Sequence, residues 1–519
     1  MEKPAPCAGG TLCYSCPTQL VAAKKSLSSY ITIRGLPCPA CVTGAAAGKG
    51  QQQMAAGSGG TNPISVIDNN PMSLRQWIVV ALMVLLNALD GFDVLSSAFA
   101  SAGIAADWGI DRGALGIMLS GELVGMGFGS LLLGSMADKV GRKPTMLICL
   151  VIMAVGMYLA HSATSVWPLT SYRVLTGLGI GGMLAATNAV TAECTNKASR
   201  SLALSWYVIG YPLGGIFGGL AASEWLLKDY DWSAVFLFGA ACTAVMIPLV
   251  MLLVPETPAF YAARRKSDAV EKINKSLRAF SKPLIDALPE VKAGPKLKVL
   301  DILSKPGLRK VTWLLALGYM CHTLTFYYIL KFAVKIVADD GVAQTLPGAE
   351  LAWTQAQAAT TLTWANVGGA IGGFVFGFLL KKWDIKGPTI ACMLLGMGAV
   401  AYFGTGHDTL AQWRFAGFMS MFFLNAAIVG FYAAFAKGFP AYARATGTGF
   451  ALGVGRFGAA GSPLLAGFLF TWLGEPGVPN DELLTVSVIM TVGALAAAML
   501  ILATPLRDAD RDLEEGSGK

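Results

Sequence analysis

Apolar residues run along this chain in blocks of about 20, separated by short polar stretches that are mostly charged. A block of that length spans the ~30 Å hydrocarbon core of a bilayer as a helix rising about 1.5 Å per residue. Twelve such segments are read, near residues 77–100, 113–136, 144–163, 167–191, 201–225, 233–254, 311–337, 356–380, 388–405, 410–436, 445–471 and 483–504. The one long polar connection, 255–310, separates the sixth from the seventh and divides the chain into halves at 71–254 and 311–505, with a short polar tail over 506–519. The predicted fold class is an all-α membrane protein of twelve transmembrane helices in two pseudo-symmetric six-helix bundles.

Lysine and arginine alternate from loop to loop. One set of connections carries Lys139 with Arg142 and Lys143, Lys197 and Arg200, the basic 255–310 segment, Lys381, Lys382 and Lys386, then Lys437 and Arg444. The other set carries Asp107, Asp111, Asp229, Asp231, Asp339, Asp340, Asp408, Glu475, Asp481 and Glu482. By the positive-inside rule the basic set, the central connection and both termini are expected in the cytoplasm, in an inner-membrane protein. The halves also echo each other. The fifth segment follows Arg200 and holds Gly210, Pro212, Gly214 and Gly215, while the eleventh follows Arg444 and holds Gly455, Arg456, Gly458 and Pro463. Corresponding breaks in corresponding halves point to duplication.

Composition narrows the function classes. The 519 residues are 54% hydrophobic and only 13% charged, which no ordinary soluble domain of this length shows. The net charge of +8 resides in the inter-segment clusters and forms no stripe for nucleic acid. No phosphate-binding glycine loop is present and no cofactor is called for. No nucleophile and base come together to suggest an enzyme. Residues 1–70 differ from the rest, being polar and rich in Gly, Ala and Ser, and they read as a disordered extension with Met54 as an alternative start. Within them Cys13-x-x-Cys16 and Cys38-x-x-Cys41 have nearly the spacing of a four-cysteine zinc site, the competing reading.

Charge inside the segments is the candidate chemistry, because an ionisable residue at membrane depth is costly and usually functional. Asp90 and Asp93, three apart, share one face of the first helix. Repulsion and desolvation penalise the doubly ionised pair, which suits a proton carrier. By rise per residue, Asp90, Glu122, His322 and Arg456 lie roughly 13–20 Å into their segments, in one central layer. Arg456 is the candidate clamp for a carboxylate, with permanent pairing to Glu122 as its structural alternative. Glu122 and His322 are further proton candidates. Lys331 and Lys335, four apart, are expected to snorkel to the interface, with anion attraction as the other role. Tyr327, Trp364 and Phe374 could stack on an aromatic ring.

The connection Gly134-Ser-Met-Ala-Asp138-Lys139-Val-Gly141-Arg142-Lys143, with Arg173-x-x-x-Gly177-x-Gly179-x-Gly181 in the fourth segment, closely resembles the signature of the major facilitator superfamily. That resemblance implies an alternating-access carrier in which Asp138, Arg142, Glu193 and Arg200 form a charged latch at the cytoplasmic end. The second-half counterpart departs from the pattern, with Lys381 where an acid is expected, so a symmetrical latch is not implied. Pro255-Glu256-Thr257-Pro258 is similar to a turn of the superfamily's sugar and organic-acid carriers. Asp90-Gly91-Phe92-Asp93, Ala106-Asp107-Trp108-Gly109-Ile110 and Arg444-Ala445-Thr446-Gly447 together resemble its aromatic acid:proton symporters. The resemblance implies a symporter of an aromatic carboxylate that needs the first-helix aspartates. Joined to the residue reading above, Asp90, Asp93, Glu122 and His322 are the candidates for proton coupling and Arg456, Tyr327, Trp364 and Lys331 those for the substrate, in a chain expected to be monomeric. Its rivals are an exporter of organic compounds in the same fold and a membrane receptor for aromatic acids.

Overall fold

Twelve long helices carry the twelve apolar segments. In this computed structural model, which describes residues 62–289, 299–304, 306–344, 352–380, 382–439, 443–474 and 482–506, they are α1 (Leu74–Trp108), α2 (Arg112–Val140), α3 (Arg142–His161), α4 (Val166–Glu193), α5 (Arg200–Ala221), α6 (Ser233–Leu253), α7 (Pro306–Ala343), α8 (Gln355–Leu379), α9 (Lys386–Phe403), α10 (Leu410–Gly438), α11 (Arg444–Leu473) and α12 (Leu483–Ala503). Ten are long and apolar enough to cross a membrane by composition alone. The other two, α5 and α11, are diluted by glycine, and α11 by Arg456. Capping explains several starts. Ser73 with Gln76, Thr354 with Gln357 and Thr409 with Gln412 form reciprocal capping boxes that satisfy the orphan amides of α1, α8 and α10.

Packing repeats with a shift of six. In the first half α1 lies on α5 and α6, α2 on α4, and α3 on α4 and α6; in the second α7 lies on α11 and α12, α8 on α10, and α9 on α10 and α12. The halves meet along α2 with α11, α5 with α8, and α1 with α7. Glycine permits the closest of these contacts. A Cβ at Gly177 of α4 would sit 2.0 Å from the Glu122 carbonyl, and one at Gly125 of α2 would sit 2.1 Å from the Val174 carbonyl. That approach carries the charged side chains of α2 and α4 into each other's reach.

The polar extension ends sooner than its composition suggests. Residues Pro63–Asn69, read as disordered, form a helix capped by Asn62 with Pro63 in the first turn, where its missing amide proton costs nothing. Val66 and Ile67 of this helix pack with Ile273, Leu277 and Ile285 of the central connection. Lys282 donates to the Pro71 carbonyl. The central connection is likewise structured in part, with helices Pro258–Arg264 and Ala269–Ala279. The cysteine pairs weighed for zinc lie outside the described residues.

Candidate functional site

The charged layer is built mostly by the first half. Asp90 and Asp93 are fully buried on α1, and neither carboxylate has a hydrogen-bond partner among the described residues. Glu122, also fully buried, receives Arg173 Nη2 at 2.5 Å and the Ser97 hydroxyl at 3.3 Å on one oxygen, Oε2. Arg173 in turn donates to the Asp93 carbonyl at 2.6 Å and stands 5.4 Å over the Phe236 ring. A buried guanidinium is tolerable only when so paired and hydrogen-bonded. Arg173 was legible as part of a motif, but not as the cation that neutralises Glu122. With Glu122 engaged there, the pairing of Arg456 with Glu122 does not form.

Lys331 does not snorkel. It is fully buried, and its ammonium donates to the Val94 carbonyl of α1 at 2.5 Å and to Glu122 Oε2 of α2 at 3.3 Å. The expectation failed because α7 is 38 residues long and runs beyond the apolar core, so a lysine placed at the helix end by hydropathy is in fact well inside it. Lys335, one turn on, is the one near the end, paired with Asp339 at 2.5 Å.

Arg456 has a different setting. It is half-buried on α11, its nearest described polar contact is the Met126 sulfur at 3.8 Å, and no carboxylate among the described residues pairs with it. Asp90, Tyr211, Tyr319 and Tyr327 lie within its electrostatic reach. The Tyr211 hydroxyl faces that of Tyr327. His322 lies apart, its Nε2 donating to the Leu424 carbonyl at 2.9 Å, between Phe326 and Phe431. That is the setting of a packed histidine. Trp364 and Phe374 share an exposed stripe of α8 with Ile371 and Phe378, away from the charged layer, so the structure brings neither to the buried cluster.

The end that carries the acidic loops is closed. Arg112, at the start of α2, pairs with Asp339 of α7 at 2.7 Å and with Glu482 before α12 at 2.6 Å. Thr471 bonds Asp111 at 3.0 Å, and Trp232 bonds Asp107 at 2.7 Å. Backbones of α2 and α11 nearly touch there: a Cβ at Gly116 would fall 2.4 Å from the Pro463 carbonyl. Asp107, Asp111, Asp339 and Glu482 were legible by sequence as loop acids, and Asp107 as part of a motif, but none as a partner in these contacts.

At the basic end, Arg142 pairs with Asp138 at 2.7 Å and Glu193 at 3.1 Å, joining three of the four expected latch residues. Arg200 is not among them. It pairs with Asp68 of the N-terminal helix and donates to the Ala192 carbonyl. The Pro-Glu-Thr-Pro turn supplies two further members. Thr257 donates to Glu193 at 2.5 Å, and Glu256 accepts the amides of Arg142 and Lys143 at 3.0 and 3.1 Å, capping α3. Burial, the largest influence, raises the Glu256 pKa above its ordinary 4.5, against the lowering effect of those hydrogen bonds. A raised folded-state pKa means the folded protein holds this proton more tightly, so this group's contribution to stability is greatest below pH 4.5 and declines as pH rises through the folded pKa. Glu256→Gln is expected to flatten that dependence when melting temperature is followed against pH.

The Major Facilitator Superfamily profile matches residues 80–347. Among curated proteins the chain is 28% identical over 469 residues to the gallate transporter of Pseudomonas putida, covering 85% of this chain and 95% of that one. It is 28% identical to the 4-hydroxybenzoate transporter PcaK of Pseudomonas putida, over 76% of this chain and 86% of that one. The gentisate transporter of Corynebacterium glutamicum is 25% identical, over 85% and 93% of the two chains. Among solved structures, a bacterial homolog of the human lysosomal transporter Spinster in an inward-facing and occupied conformation superposes with a TM-score of 0.62 at 15% identity, over 85% of this chain and 98% of that one. The xylose transporter XylE from E. coli, inward open, gives 0.61 at 14% identity, over 84% and 99%.

Proposed function

The chain belongs to the Major Facilitator Superfamily, and on that premise we propose that it takes up an aromatic carboxylate together with protons, presenting one central site to the two sides of the membrane in turn. The observation that carries this reading is Arg456, a guanidinium at membrane depth with no carboxylate paired to it among the described residues. An arginine held there without an anion is a binding site for one, and its planar fork suits a carboxylate. Tyr211 and Tyr327 beside it offer ring faces and hydroxyls to an aromatic acid. Asp90 and Asp93, buried without hydrogen-bond partners, are the proton carriers, because a lone carboxyl group at such a site is far less costly neutral than ionised. The relatives that carry gallate, 4-hydroxybenzoate and gentisate support the substrate class.

Two charge counts support coupling. With no proton loaded, Asp90, Asp93 and Glu122 balance Arg173, Lys331 and Arg456, three acids against three bases, so a carboxylate entering that state calls for at least one proton on Asp90 or Asp93 to keep the buried layer neutral. One proton per carboxylate moves no net charge, and each further proton carried inward gains ~2.3 kcal/mol per 100 mV of membrane potential. With the basic loops in the cytoplasm, as the charge alternation argues, the acidic end tied by Arg112 faces outward. It works as a single chain in the inner membrane.

Reconstituted protein is expected to accumulate labelled 4-hydroxybenzoate, protocatechuate or benzoate when the outside is acidified, and to lose the accumulated label on addition of protonophore. Retention that rises with protonophore would mark an exporter. Tight binding with no flux of any of these acids would mark a receptor.

A further inference from the structure

Glu122 is the one carboxylate of the charged layer that meets both halves of the molecule. Its Oε2 is shared by Arg173, from α4 of the same half, at 2.5 Å and by Lys331, from α7 of the other half, at 3.3 Å. Lys331 reaches it through the wall of the first half, where its ammonium also takes the Val94 carbonyl of α1 at 2.5 Å. All three side chains are fully buried. The other polar groups facing Glu122 are Ser97 and Asp93 from α1, Tyr211 from α5 and Tyr327 from α7.

We infer that Lys331 is the positioning residue through which the second half senses the charge on Glu122, so that binding of a proton in the first half releases the contact between the halves. This rests on the reading of the chain as a proton-driven carrier. The physics is a matter of counting. While Glu122 is ionised, two cations share one anion and Lys331 is held inside the first half. Once Glu122 is neutral, Arg173 and Lys331 face each other with no anion between them in a medium where like charges at a few ångströms repel strongly. Arg173 cannot leave, because it is fixed at the Asp93 carbonyl and the Phe236 ring within its own half. Lys331 can, because it rides on the half that moves. Its remaining bond, to the Val94 carbonyl, is with a neutral acceptor and does not compensate for the lost ion pair. Neither proton nor substrate needs to touch Lys331 for this to operate.

The test separates coupling from carrying. Proteoliposomes holding wild type, Lys331→Met, Lys331→Arg or Glu122→Gln/Lys331→Met are assayed with labelled 4-hydroxybenzoate in two ways, uphill accumulation under an acid-outside gradient and exchange at equal pH on both sides. Lys331→Met is expected to lower the accumulation ratio by about 5- to 100-fold while exchange changes by less than about threefold, the signature of a lost coupling between two retained activities. Lys331→Arg, which keeps the charge, is expected to retain most of the accumulation. The double variant removes the carboxylate that lost its lysine, and is expected to exchange without accumulating even if Lys331→Met folds poorly. Accumulation by Lys331→Met at the wild-type ratio would overturn the inference alone. Loss of exchange in both the single and the double variant would also overturn it, by making the lysine a requirement for binding or folding. Wild-type protein that accumulates no aromatic acid would overturn the carrier reading itself, and this inference with it.

Discussion

Arg456→Ala is expected to reduce the transport efficiency for aromatic acids by about 30- to 5,000-fold, the equivalent of the ~2–5 kcal/mol lost when one partner of a desolvated charge pair is removed. The effect is large because nothing nearby can substitute: Arg173 and Lys331 are both committed to Glu122. Removing the guanidinium also leaves Asp90 without the cation in its surroundings, which disfavours the ionised, unloaded form of the site. Arg456→Lys should fall between the two, since an ammonium supplies the charge without the bidentate fork. Initial rates of uptake against substrate concentration decide the matter. An alanine variant transporting within about threefold of wild type would place the substrate carboxylate elsewhere.

Arg173→Met is expected to cost about 3–5 kcal/mol of stability, because it leaves Glu122 ionised in a fully buried site with only Lys331, at 3.3 Å, as its cation. At that depth the expected outcome is a large loss of monodisperse protein in detergent and a lowered melting temperature. Adding Glu122→Gln should recover a substantial part of the loss, since a neutral amide no longer needs a countercharge. A double-mutant cycle on melting midpoints reads the coupling directly. Equal destabilisation by Arg173→Met in the presence and absence of Glu122 would show that the arginine acts through its contacts with Phe236 and the Asp93 carbonyl instead.

Much of this architecture can be read from the chain because a membrane crossing demands a long apolar block, and twelve such blocks are hard to hide. The central charged layer is legible for a related reason: Asp90, Glu122 and Arg456 stand out against apolar neighbours. What remains hidden is pairing. Lys331 and Glu122 are 209 positions apart, and no periodicity links them. The acidic-end closure is hidden for another reason. Helices α1 and α7 extend to Trp108 and Ala343, past the apolar blocks that end near 100 and 337, and the partners Asp107 and Asp339 ride on those polar extensions, where hydropathy sees only loop. The N-terminal helix, capped by Asn62, went unread because its surroundings match the composition of an unstructured tail. Arg200 then found Asp68 there, a partner that no pattern within the segments could supply.

The closure around Arg112 bears on the economy of the whole membrane. A carrier whose acids exchange protons readily is a hazard when empty, because it can drain the gradient it feeds on. With Arg112 clasping Asp339 and Glu482, and with α2 and α11 nearly in backbone contact behind it, the described residues of the acidic-loop end stand between that surface and the buried Asp90 and Asp93. On the proposed reading of a proton-driven carrier, an unoccupied molecule in this state is an insulator, and a cell holding many copies keeps its proton gradient while the substrate is scarce.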